Sequence, residues 1–389
     1  MIGYGRHHVD EDDIQAVVDQ MRHRSLTQGA AIDQFEQLVA AYVGARYAVA
    51  VSSGTAALHI ACAAAGLGPG DTLVTSAITF VASANCALYV GARPEFTDID
   101  PDTLNMDTRD LAQRCSTLTR IRAIVPVHMA GLPCAMPDIQ AIAKQHGAVV
   151  IEDASHALGS TYPDGSKVGC CSHSDMTIFS FHPVKAITTG EGGMVTTNDE
   201  RLYRDLLRLR SHGINKGDDA LHDPEHGFTD GAPNPWYYEM QELGFNYRLT
   251  EIQAALGLSQ MRKLERFIAR RRALAARYDD AFRSSPLIPT QRVGRSASAH
   301  HLYVIRAPFG EGCVSRAVYM KRLVAAGLIT QVHYIPVPLH PYYRERGYRA
   351  EGFTHAWRYY QEALSIPLFV DLSEGEQDRV GRVLTDSLV

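Results

Sequence analysis

No apolar run in this 389-residue chain approaches the roughly 20 residues that a bilayer-crossing helix needs, so a membrane-spanning segment is excluded. No secretory leader pattern opens it. Neither sign of charge prevails: 38 Lys and Arg stand against 43 Asp and Glu, a formal net charge of −5. That balance leaves no electrostatic footprint for nucleic acid. Arg270-Arg271-Arg272 is the notable basic run, and a solvated helix face accounts for it. The seven cysteines (Cys62, Cys86, Cys115, Cys134, Cys170, Cys171, Cys313) contain no C-x-x-C pair. An odd, scattered set points to reduced thiols and a cytoplasmic home. Internal repeats and low-complexity tracts are missing. Gly66-Leu67-Gly68-Pro69-Gly70 follows a helix pattern instead of a strand, which rules out a dinucleotide fingerprint. Among seventeen histidines, His7-His8, His300-His301 and His333 with His340 match no metal-ligand spacing. Structural or substrate-contact histidines are expected, and no metal.

What is present reads as an ordinary globular chain, 46% hydrophobic and 21% charged, with one large and one smaller domain. Asp10 caps a helix whose apolar face is Ile14, Val17, Val18 and Met21. Leu26-Thr27-Gln28-Gly29 breaks it, and a second helix follows with Ile32, Phe35, Val39, Tyr42 and Val43 on one face. Residues 47–197 then alternate strand and helix patterns, the signature of βα units around a mainly parallel sheet. Residues 213–245 are rich in Gly, Asp, Pro and His and carry Trp236-Tyr237-Tyr238, a loop long enough to be functional. Thr250-Glu251-Ile252-Gln253 is a capping box opening one long helix to about residue 282. Beyond it, His301-Leu302-Tyr303-Val304-Ile305 and Ile329-Thr330-Gln331-Val332-His333-Tyr334 read as strands of an α+β region. The expected division is a large domain over 12–250 and a small one over 251–389, with residues 1–11 packing near the latter.

Three segments carry chemistry. Ser180-Phe181-His182-Pro183-Val184-Lys185 lies between the strand runs Met176-Thr177-Ile178-Phe179 and Met194-Val195-Thr196-Thr197, with Gly190-Glu191-Gly192-Gly193 turning between them. A lysine held there is partly desolvated, which favours the neutral, nucleophilic amine. Asp153, in Ile151-Glu152-Asp153-Ala154-Ser155-His156, falls at the carboxyl end of a buried strand, where open α/β sheets bind ligands. Such an acid suits the protonated ring nitrogen of pyridoxal phosphate (PLP), though alone it also reads as a turn cap. Ser52-Ser53-Gly54-Thr55, between a strand and a helix run over 56–65, makes a phosphate cradle or, alone, a plain N-cap. In this order, the three together point to PLP.

These residues resemble the DegT/DnrJ/EryC1/StrS family of sugar aminotransferases, from Leu26-Thr27-Gln28-Gly29 to the C-terminal region. The resemblance implies an α/β PLP-dependent transferase of fold type I. It implies that Lys185 carries PLP covalently and moves the proton, that Asp153 holds the ring nitrogen, and that Phe80 stacks on the ring. Ser53, Gly54, Thr55 and Ser180 would bind the phosphate, and Asn246 would reach the phosphate of a neighbouring subunit in a homodimer with shared sites. His156 would brace Asp153 or the cofactor, or simply pack. Tyr4, Leu26, Thr27, Gln28, Gly29, Arg248, His333 and Tyr334 would line the sugar-nucleotide pocket, with Trp236-Tyr237-Tyr238 as a lid. A finer resemblance rests on Glu152-Asp153-Ala154-Ser155-His156-Ala157-Leu158-Gly159, Ser180-Phe181-His182-Pro183-Val184-Lys185 with Ile187-Thr188-Thr189-Gly190-Glu191-Gly192-Gly193, Arg210-Ser211-His212-Gly213 and Gln331-Val332-His333-Tyr334. It implies amination at C4 of a UDP-linked 4-keto-6-deoxy-N-acetylhexosamine in pseudaminic acid synthesis, with L-glutamate as donor and 2-oxoglutarate as its product. A dTDP- or GDP-linked sugar, or the other UDP epimer, is the alternative. A related dehydratase would carry histidine at position 185. A non-catalytic regulator on this fold, and a desulfurase using Cys313, are the remaining readings.

Overall fold

Short apolar runs become strands here because both faces of one sheet are covered. They are β1 Tyr47–Val51, β2 Thr72–Ser76, β3 Arg93–Thr97, β4 Ile121–Val125, β5 Val149–Asp153, β6 Met176–Ser180 and β7 Gly193–Thr197. The computed structural model describes residues 1–215, 220–310, 314–349 and 351–388. The sheet order is β1-β7-β6-β5-β4-β2-β3, and of these seven only β7 runs antiparallel to its neighbours. The preceding and intervening helices are α1 Glu11–His23, α2 Ala30–Val43, α3 Gly54–Ala64, α4 Ala82–Tyr89, α5 Thr108–Cys115, α6 Met136–His146 and α7 Glu200–Arg210. Side chains alternate across the sheet. Val49, Val51, Val125, Ile151 and Ile178 pack with α3, α4 and α7, while Ala48, Ala50, Ile124, Val150 and Phe179 pack with α2 and α6. Each large aliphatic or aromatic chain so buried contributes about 1.5–3 kcal/mol.

A hairpin, β8 Phe228–Thr229 with β9 Ala232–Pro233, lies inside the long 213–245 segment. Farther on, β10 Ile288–Pro289, β11 Tyr303–Arg306 and β12 Ala363–Ile366 form a separate antiparallel sheet. Its core gathers Tyr278, Tyr303, Tyr319 and Leu384. Ile2 joins that core and bridges to Leu328. None of the described helices is long and apolar enough to cross a membrane.

Three sequence expectations are corrected. Asp10 does cap α1, reciprocally with Asp13, but the buried side of that helix is polar. Asp13 and Gln20 are buried while Ile14 and Met21 lie exposed. The inward attraction is ionic: Lys263 bonds Asp13, and Gln260 bonds both Asp13 and the His8 carbonyl. The long helix is two, α8 Glu251–Met261 and α9 Leu264–Ala281, and the break falls at Arg262-Lys263, where Lys263 is drawn to Asp10 and Asp13. Residues 329–334 form no strand. Gln331 makes an isolated bridge to Ser365, and the prolines at 336 and 338 lack the N–H groups a ladder needs.

Candidate active site

The carboxyl ends of β1, β2, β5 and β6 meet the start of β7 at one edge of the sheet, and a cavity of about 390 Å³ opens there. Ser53 ends the β1 loop and caps α3, its Oγ accepting from the Ala56 N–H at 3.1 Å. The amides of Gly54 and Thr55 open the helix and have no intrahelical acceptor, which with the helix dipole makes an anion seat. Ser180, the last residue of β6, closes it from the side. A Cβ added at Gly54 would stand 2.9 Å from the Ser180 Cβ, and one at Gly193 would stand 2.4 Å from the Ser53 carbonyl oxygen. Glycine at both positions lets helix and strands approach closely enough to form the seat.

Asp153 ends β5 and is 5% exposed. Its Oδ2 accepts from Ser83 Oγ at 2.6 Å and its Oδ1 from the Ser155 N–H at 3.1 Å. Ser83 is itself bonded to Thr79 at 2.7 Å, so a hydroxyl from the first turn of α4, backed by one from the β2–α4 connection, aims the carboxylate. Sequence reading missed both, since serine and threonine near a helix start are too common to single out. Behind Asp153, Glu152 is fully buried and accepts from His128, Tyr162, Ser174 and Thr177. Burial opposes its ionisation, but the bonds from His128, Ser174 and Tyr162 hold its pKa below the usual value. The Cys134 N–H donates to His128 Nδ1 at 3.1 Å, so the hydrogen of a neutral ring is on Nε2, facing Glu152.

Lys185 follows β6 on the loop and lines the same cavity. Its side chain is only half-buried by exposed area. Even so, dense surrounding protein pushes the ammonium from 10.5 down to about 8, against the opposing pull of Asp153. Nζ takes no hydrogen-bond partner among the described residues. Phe80 offers an aromatic ring 55% exposed, 6.0 Å from that of Tyr334.

The opposite wall comes from Tyr4, His156, His301, His333 and Tyr334. His156 makes no hydrogen bond to Asp153. Its Nδ1 accepts from the Ala130 N–H at 3.3 Å and its Nε2 meets the Tyr334 hydroxyl at 3.2 Å. A neutral ring therefore donates from Nε2, leaving the Tyr334 O–H free to donate elsewhere. Burial, aided by Lys185 and His333, keeps His156 well below its usual pKa. His333 bonds Ser365 at 2.8 Å, and burial with Lys185 nearby lowers it to about 4. His301, expected from the sequence to be a structural or substrate-contact histidine, lies in this wall.

Several expected residues stand apart. Leu26, Thr27, Gln28, Gly29, Asn246 and Arg248 do not line this chain's cavity. The Gly29 amide is already occupied: it donates to Glu251 at 2.9 Å, as do Ala31 and Ile32, so the α2 N-terminus is closed by a carboxylate. Asn246 is exposed and pairs through its backbone with Ser211. Arg248 bridges Val51 through its backbone, and its guanidinium reaches Ser211 at 3.5 Å. Trp236 is 72% exposed and Tyr237 bonds Asp223 and Glu239; with Tyr238 they do not cover this cavity. Cys313 lies outside the described residues.

The observed donor set fits PLP: an anion seat at a helix N-terminus, a depressed lysine, a buried carboxylate and an aromatic face converge in one cavity. The sequence matches the DegT/DnrJ/EryC1/StrS aminotransferase family over residues 7–385, and the chain belongs to that family. It is 39% identical to the spore coat polysaccharide biosynthesis protein SpsC of Bacillus subtilis, over 97% of this chain and 95% of that one. It is 36% identical to the UDP-4-amino-4,6-dideoxy-N-acetyl-beta-L-altrosamine transaminase of Campylobacter jejuni, over 96% and 94%. A solved structure of Helicobacter pylori PseC, an aminotransferase involved in the biosynthesis of pseudoaminic acid, superposes with a TM-score of 0.89 at 30% identity, covering 100% of this chain and 99% of that one. This chain is a sugar aminotransferase of fold type I, and PLP is its cofactor.

Proposed function

We propose that this enzyme transfers an amino group from L-glutamate to C4 of a UDP-linked 4-keto-6-deoxy-N-acetylhexosamine, releasing 2-oxoglutarate and the 4-amino sugar. The observation that carries the reading is the convergence of Lys185, Asp153 and the Ser53-Gly54-Thr55 seat on one cavity walled by Tyr4, His333 and Tyr334. PLP supplies an aldehyde carbon and a conjugated cationic ring that accepts the electrons of the broken C–H bond. Lys185 would hold it covalently and then carry the proton, as base and then as acid. Asp153, kept in place by Ser83 and the Ser155 amide, would balance the charge of a protonated ring nitrogen. Ser53, Gly54, Thr55 and Ser180 would hold the phosphate, and Phe80 would offer its ring face to the cofactor.

We take the L-arabino epimer as the substrate, a reading supported by the similarity to a Campylobacter UDP-4-amino-4,6-dideoxy-N-acetyl-beta-L-altrosamine transaminase and to a Helicobacter aminotransferase of pseudoaminic acid biosynthesis. The Bacillus relative, named for spore coat polysaccharide, supports a second reading, another nucleotide-linked 4-keto-6-deoxy sugar. Offering the L-arabino and D-xylo 4-keto epimers separately with L-glutamate, and assigning C4 of each product by NMR, decides between epimers. A methyl group turned into the pocket wall is worth about 10–200-fold, so the L-arabino substrate should win by at least that lower margin. Preference for the D-xylo epimer overturns this substrate.

The functional unit in this reading is a homodimer with shared sites. Supporting it, Asn246 lies outside its own chain's cavity, and Trp236, Tyr238, Met240 and Leu243 expose 62–75% of their surface nearby in sequence. Such apolar exposure asks for a cover. Heterodimers pairing Lys185→Ala with Asn246→Asp chains would concentrate both lesions in one site. They should recover about half the native activity per dimer, one of two symmetric sites being intact. Purified heterodimers as inactive as the parents would sink the shared site.

A further inference from the structure

Two buried imidazoles near the cavity have both ring nitrogens bonded by protein groups, and a third has its Nδ1 bonded. His128 takes the Cys134 amide and Glu152, His156 takes the Ala130 amide and Tyr334, and His333 takes Ser365. His301 is different. It is 5% exposed and lines the cavity, yet neither ring nitrogen has a partner among the described residues. Nδ1 is sealed from solvent, which leaves Nε2 as the nitrogen that a molecule in the cavity could meet. The ring is held by other means: its face lies 4.3 Å from His156, its amide donates to the Ala130 carbonyl at 2.9 Å, and its carbonyl accepts from Arg271 at 3.3 Å. A histidine that served only packing would be expected to satisfy its nitrogens, because an unbonded buried polar group is costly.

The position is also telling. Lys185 and His301 line the same cavity, so a reactant held at Lys185 shares that space with the His301 ring. No arginine stands among the described residues lining this cavity, and an acid reactant finds no guanidinium of this chain there. We propose that His301 is a reactant-binding residue, its Nε2 hydrogen-bonding an oxygen on the carbon next to the one that gives or receives the amino group. In the amino donor that oxygen belongs to a carboxylate, and in the sugar to a ring hydroxyl. The inference rests on the nucleotide-sugar reading above.

Calorimetric titration of the PLP-loaded enzyme with two unreactive ligands tests it: glutarate for the donor acid and UDP-N-acetylglucosamine for the sugar. His301→Phe keeps a ring against His156 without nitrogens, and His301→Asn withdraws the polar atom from the cavity. Both should load PLP as the native chain does, judged by visible absorbance. Each should weaken one or both ligands about tenfold or more, the loss of a hydrogen bond to an anionic or hydroxyl oxygen. His301→Gln, whose amide nitrogen reaches the place of Nε2, should restore most of the affinity. Loss on glutarate alone assigns the carboxylate, loss on the sugar nucleotide alone assigns the hydroxyl, and loss on both assigns both. Loaded Phe or Asn variants that bind both ligands within about twofold of native overturn the proposal. A native enzyme that binds glutarate but no sugar nucleotide overturns the substrate reading instead, and leaves His301 to be judged on glutarate.

Discussion

Lys185→Ala should reduce transamination by about 10⁴-fold or more, since in the proposed function one side chain both anchors the cofactor and moves the proton. The fold should survive, because Lys185 is half-buried on a loop and bonds no other side chain among the described residues. PLP should still bind through the phosphate seat and Asp153, but borohydride treatment should no longer fix it to the chain. In the native protein the fixed label should sit on the peptide containing Lys185; a label on any other lysine refutes the assignment. The same amine carries a pH signature. Its pKa is lowered from 10.5 to about 8 by burial, so the neutral fraction rises about tenfold per pH unit up to that point and then levels off. Covalent uptake of PLP by the apoenzyme should follow that curve. An uptake rate still climbing steeply above pH 9 would mean that the reacting lysine is not desolvated.

Asp153→Asn should cost about 10³–10⁴-fold in the rate of either half-reaction, on the scale of a lost acid–base partner. The amide is isosteric, and its surroundings can accommodate it. The Ser155 N–H still finds the amide oxygen, and the Ser83 hydroxyl can turn its hydrogen toward Thr79 and accept from the new NH₂ group. Stability should therefore stay within about 1 kcal/mol of native. What the amide cannot do is balance a positive charge on a ring nitrogen, so electron acceptance by the ring fails while the protein stands. A thermal melt near native with a rate loss of three or more decades is the expected pair of results. A variant less than tenfold slower would remove Asp153 from the chemistry.

Six strands of the main sheet were readable because they are largely buried on both faces, so composition marks them, and β1 falls where Tyr47-Ala48-Val49-Ala50-Val51 indicates; the edge strand β3, with Arg93 exposed and Glu95 half-buried, carries no such apolar run. Lys185, Asp153 and Ser53-Gly54-Thr55 were readable for a related reason. Each sits just past an apolar run, and in a mostly parallel sheet those ends share one edge. The errors arose where long-range partners outweighed local pattern. The Ile14 to Met21 stripe suggested a buried face for α1, but the pull of Lys263 and Gln260 on Asp13 turned the helix the other way.

Local pattern in the sequence carries the α/β class, the order of most main-sheet elements and the residues proposed for the chemistry, since periodicity and turn residues are local properties of the chain. Only the tertiary structure decided which neighbours those residues keep. Ser83 and Thr79 reach Asp153 from 70 and 74 positions away in the chain, His301 comes to lie on His156, and Glu251 closes the turn at Gly29 from 222 residues away. The reason is physical: a hydrogen bond or ring contact between distant segments leaves no periodic trace in either, and it exists only once the sheet has brought both ends to the same edge.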